Sequence, residues 1–166
     1  SAVVAAGLDW PTAPVVLPDG AVVVAETGAG RVTRLDVSGA RTALANGLLS
    51  PAGLTRAGGR ILVVEASGGR LLAVRERAYP VVIAAGLSRP VGVVADSLGR
   101  AFIAEAGVKS LVRLDRDGSR LTLASSLSLG DDEASRPLAV PLVIDRDDRV
   151  VFLRPDTGEV LRLTPP

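Results

Sequence analysis

One stretch of this chain is said more than once, and that repetition limits the fold more than any other feature. Residues 21–36 read AVVVAETGAGRVTRLD. Residues 61–75 read ILVVEASGGRLLAVR, and residues 101–115 read AFIAEAGVKSLVRLD. A weaker fourth copy, VVFLRPDTGEVLRL, covers residues 150–163. Each copy is an apolar run, a Gly-containing break and an alternating run. That order is the pattern of a β-hairpin, and its recurrence at a near-fixed interval marks a repeat architecture. The residues that end the apolar runs are Glu26, Glu65, Glu105 and Arg154, at intervals of 39, 40 and 49 residues. A second marker, G-L-x-x-P, precedes three copies: Gly7 to Pro11, Gly47 to Pro51 and Gly86 to Pro90.

A unit of about 40 residues with four short strands is the period of a propeller blade. The strands, a to d from the axis outward, divide the chain into blades at about 12–46, 51–85, 90–124 and 137–163. The last blade lacks text for strand d, and residues 1–6, SAVVAA, repeat the d-strand text VVIAA that precedes the third G-L-x-x-P. The expectation is therefore an all-β, four-bladed β-propeller of one domain, 1–166. The N-terminal strand would pair into the last blade and remove an exposed sheet edge. Small residues at the starts of the inner strands (Ala13, Ala52, Gly53, Gly92, Ala139) predict a narrow axis.

Composition supports many short strands. The chain is 48% hydrophobic but 2% aromatic, so Val, Leu, Ile and Ala must build its core, and 18 Gly and 11 Pro supply turns. The net charge of +1 provides no basic stripe for nucleic acid. No apolar run approaches the roughly 18 residues of a membrane span. The absence of His and Cys removes imidazole and thiolate chemistry. Without Met, Ser1 is not an initiator; the expectation is a processed mature chain or an excised domain, secreted or periplasmic. A single Lys among the basic residues reads as a GC-rich bacterial genome or a surface bias.

The repeat resembles the NHL-repeat propellers and their gluconolactonase/strictosidine-synthase-like and virginiamycin-lyase-like relatives. Pro51-Ala52-Gly53, Asp19-Gly20, Val24-Ala25-Glu26, Arg31, Arg34-Leu35-Asp36 and Gly39 carry the likeness. Those families usually have about six blades, and this chain has text for four. The resemblance implies that b–c turns and d–a junctions share one face, the top. Glu26, Glu65 and Glu105 would then ring the axis near its mouth, with Arg154 in the fourth place. Carboxylate oxygens suit a hard cation such as Ca²⁺. The competing reading has each Glu bonded within its own b–c turn or paired with Arg31, Arg34, Arg70 or Arg113. The insertion SSLSLGDDEASR at residues 125–136 puts Asp131, Asp132 and Glu133 at a d–a junction on the same face. Asp115 to Gly118 and Asp145 to Asp148 read as ordinary turns.

The virginiamycin-lyase likeness carries no activity, since those enzymes use a catalytic His. The gluconolactonase-like enzymes hold a divalent metal with Glu, Asn and Asp, and the single Asn here is Asn46. Three functions remain: a ligand- or protein-binding module working at the top mouth as a monomer, a small metal-dependent hydrolase or lactonase, and a self-associating structural propeller.

Overall fold

The computed structural model describes residues 3–129, 140–154 and 157–163. Every strand in it is short and antiparallel to its neighbours, and four sheets stand in a ring as a four-bladed β-propeller. Blade 1 comprises β1 (Pro11–Val16), β2 (Val22–Glu26), β3 (Arg31–Leu35) and β4 (Arg41–Ala45). Blade 2 comprises β5 (Pro51–Ala57), β6 (Arg60–Glu65), β7 (Arg70–Val74) and β8 (Val81–Ala85). Blade 3 comprises β9 (Pro90–Ala95), β10 (Ala101–Glu105), β11 (Ser110–Leu114) and β12 (Arg120–Ala124). Blade 4 comprises β13 (Leu142–Ile144), β14 (Val150–Arg154) and β15 (Glu159–Leu163).

The core lies between blades. One cluster joins Val23 and Val32 of blade 1 to Ile61, Val63 and Val74 of blade 2. A second joins Leu62 and Leu71 to Ile103 and Leu114. A third packs Phe102 and Leu111 against Val150 and Phe152. The second strands of the first three blades, and β7 beside them, are therefore buried on both faces, which is why their text is a nearly unbroken apolar run. Each fully buried Val, Leu or Phe contributes about 1.5–3 kcal/mol. Outer strands β4, β8 and β12 each begin with three exposed residues. A register shift recurs where β1 meets β2, β5 meets β6 and β9 meets β10, adding local twist near the axis.

Successive inner strands approach closely. Thr12 Oγ1 on β1 donates to the Ala52 carbonyl on β5 at 2.7 Å. A Cβ on Gly53 would stand 2.7 Å from the Gly92 Cα, and one on Gly92 would stand 2.7 Å from the Val140 carbonyl oxygen. The approach between β13 and β1 is marginal by comparison. β1, β5, β9 and β13 together line a cavity of about 460 Å³.

The expected strand exchange differs from what the structure has. Residues 3–6 form no strand, and the fourth sheet ends on β15 among the described residues. The Arg41 guanidinium does bond the Ala6 carbonyl, just as Arg120 bonds the Ala85 carbonyl at the end of the preceding blade's outer strand. The N-terminal segment thus meets blade 1 as an outer strand would. The latch to the blade before it is absent among the described residues. Leu48, Leu87 and Leu127 each donate their N–H to the b–c turn of the preceding strands, at Gly30, Gly69 and Lys109. Among the described residues, Leu8 makes no such bond to the β14–β15 turn.

Candidate functional site on the top face

The b–c turns and d–a junctions bond directly to each other, so they share the top face. Thr27 N–H donates to the Trp10 carbonyl, Ala66 N–H to Ser50, and Ala106 N–H to Arg89. The repeated glutamates hold this arrangement. Glu26 ends β2 and is fully buried. Its carboxylate accepts from Asp9 N at 2.9 Å, Arg31 Nε at 2.7 Å, Arg31 Nη2 at 2.8 Å and Thr33 Oγ1 at 2.6 Å. Those bonds to Arg31, outweighing the opposing effect of burial and joined by Thr33 and Asp9, bring its pKa down to about 2. Glu65, also fully buried, accepts from Leu49 N at 2.9 Å and Arg70 Nε at 2.5 Å. Glu105 accepts from Ser88 N at 2.6 Å.

Cross-strand register explains which glutamates have a guanidinium. Glu26 stands opposite Arg31 and Glu65 opposite Arg70. In blade 3 Glu105 stands opposite Ser110, and it has no ion pair among the described residues. In blade 4 the pair is reversed, with Arg154 opposite Glu159. Of the other arginines weighed for this role, Arg34 bonds Asp19 and Arg113 bonds Asp115, both away from the top face.

The structure gives the glutamates equivalent places, each bonded to its own junction. Among the described residues, no group of three or more Asp, Glu, His or Cys side chains is placed to hold a metal ion. Asp131, Asp132 and Glu133, and the side chain of Arg154, lie outside the described residues. Asn46 is exposed beside the outer strands of blades 1 and 2. Asp36, Asp117 and Asp145 accept N–H bonds from residues two further on, which is turn chemistry.

Sequence reasoning missed a second repeated feature. Trp10, Ser50 and Arg89, each the residue before the junction Pro, have φ of 54°, 54° and 50°. A left-handed conformation at three non-Gly positions costs roughly 1–2 kcal/mol each. The glutamate is what holds it: its carboxylate grips the N–H of the residue before, Asp9, Leu49 or Ser88. All three left-handed residues are partly exposed.

No protein family matches this sequence, and no curated protein does. Solved structures match its fold. A putative gluconolactonase superposes with a TM-score of 0.78 at 15% identity, over 98% of this chain and 62% of its own. The nidogen/laminin complex gives 0.74 at 18% identity, over 89% and 57%. A catalytically inactive virginiamycin B lyase from Staphylococcus aureus with quinupristin gives 0.71 at 19% identity, over 95% and 56%. The chain has the propeller fold that its repeat resembles, and it spans less than two thirds of the length of each of these chains.

Proposed function

We propose that this chain is a binding module, acting as a monomeric domain, that recognises a ligand or protein through its top face. The observation that carries the reading is the contrast within the repeated junction. Backbone and clamp are the same in three blades: a glutamate grips one N–H, and the very next residue in each G-L-x-x-P is left-handed. The side chain on that frame changes from indole to hydroxyl to guanidinium, at Trp10, Ser50 and Arg89. A rigid scaffold that varies only what it displays is how binding surfaces are built. Strain held by a dedicated clamp is consistent with use.

The same carboxylates argue for a metal-free surface. Glu26 has four donors and Glu65 two, so a cation there would have to displace Arg31 or Arg70. The test combines two assays. Peptide and glycan arrays probed with the wild type and with Trp10→Ala/Arg89→Ala should show saturable binding that the double variant loses while circular dichroism shows it folded. Hydrolysis of glucono-lactone, assayed with and without Ca²⁺, should be at background. Ca²⁺-dependent turnover abolished by Glu105→Gln would replace this reading with the hydrolase. Sedimentation showing a stable dimer would replace the monomer.

A further inference from the structure

On the bottom face, two turns of blade 2 have lost the acids that their counterparts keep. In blades 3 and 4 the a–b turn opens on Asp96 and Asp145, and each carboxylate holds the Arg four residues on. Arg100 Nε lies 2.5 Å from Asp96 Oδ2, and Arg149 Nε lies 2.9 Å from Asp145 Oδ2. Blade 2 turns through Gly58 and Gly59 instead, with Ala57 paired to Arg60. Arg60 stands where Arg100 and Arg149 stand, but it faces an alanine. The c–d turn repeats the change: Asp36 and Asp115 lead it in blades 1 and 3, and Arg75 leads it in blade 2. Arg56, two strand positions from the turn, adds a third cation. The side chains of Arg56, Arg60 and Arg75 have no hydrogen bond or ion pair among the described residues.

All three touch one cavity of about 320 Å³ between blades 1 and 2, although Arg60, on the Leu62 face of β6, also lines the neighbouring cavity between blades 2 and 3. Its apolar wall is Leu17, Leu44, Ile61 and Val74. The remaining charged groups in the lining leave the excess positive. Arg34 is tied to Asp19 at 2.5 Å, and Glu76 lies 3.9 Å from Arg77. Unpaired guanidiniums present forks that fit carboxylate and phosphate oxygens, and a concave apolar wall buries the rest of a small molecule.

We infer that this cavity binds a small organic oxyanion, with its apolar body against Leu44, Ile61 and Val74 and its anionic head between Arg56 and Arg75. The site is on the face opposite the junctions, so its failure leaves the top-face reading untouched. The probe is phenyl phosphate, titrated calorimetrically into the full chain beside inorganic phosphate. Phenyl phosphate should fill one site per chain, at least tenfold more tightly than inorganic phosphate. Arg56→Gln should weaken it tenfold or more, as should Arg75→Gln. Arg146→Gln, an exposed arginine on blade 4, should change nothing. Absence of saturable binding, equal affinity for the two anions, or wild-type affinity in an Arg56→Gln or Arg75→Gln chain shown by circular dichroism to be folded would each overturn the proposal.

Discussion

Replacing Glu26 by Gln tests how the top face is held together. The carboxylate is fully buried, and its pKa falls from 4.5 to about 2 in the fold. At about 1.4 kcal/mol per pH unit, that drop is worth about 3 kcal/mol of stability at neutral pH. Arg31 is 37% exposed, so water screens part of the attraction, and about 2 kcal/mol is the expected loss. Gln keeps the shape but turns an NH₂ towards a guanidinium or a backbone N–H, so the loss is not recovered. For a chain of this size, about 2 kcal/mol lowers the melting temperature by roughly 4–8 °C. The pH dependence has a definite sign. A carboxylate whose pKa is depressed by folding stabilises above its unfolded value and loses that contribution as the pH falls through its folded value. The gap between wild type and Glu26→Gln should therefore be full at pH 7, shrink below about 4.5 and close near 2. Differential scanning calorimetry of both proteins from pH 7 to pH 2.5 measures it. A variant melting within a degree of wild type at pH 7, or a gap that ignores pH, would refute the argument.

Other expectations follow from close contacts. Gly92→Ala places a Cβ 2.7 Å from the Val140 carbonyl oxygen and should cost about 1–3 kcal/mol in urea unfolding, whereas Gly59→Ala, with nothing within 4 Å, should cost less than a third of that. Thr12→Val and Thr27→Val remove the donors to the Ala52 and Pro51 carbonyls, which join blade 1 to blade 2, and each should cost about 1 kcal/mol in the same assay.

Much of the fold was legible because it is local. Alternation and unbroken apolar runs mark the strands, and Asp19-Gly20 or Gly58-Gly59 mark the turns between them. The role of the glutamates was half legible. Glu26 and Arg31 are five residues apart in one hairpin, as are Glu65 and Arg70, and the reversed order Arg154 then Glu159 shows in the same spacing. Read as one column, Arg154 had looked like a fourth member of a ring; read across the hairpin, it belongs to a swapped pair. The left-handed φ at Trp10, Ser50 and Arg89 had no such signal, since a residue before Pro is ordinarily biased to extended backbone. The text of residues 1–6 does repeat that of an outer strand, but the described part, residues 3–6, forms no strand: pairing depends on a long-range latch, and repetition in text carries no information about that. The acids missing from blade 2 were visible as Ala57 and Arg75 once the turns were aligned by their hydrogen bonds rather than by their glycines.

The central claim is that Glu26, Glu65 and Glu105 are clamps for the junctions and not ligands for a cation. Calorimetric titration of Ca²⁺ into chelator-stripped protein addresses it directly. The account predicts no saturable heat and an unchanged melting temperature; stoichiometric binding that Glu26→Gln/Glu65→Gln abolishes would contradict it.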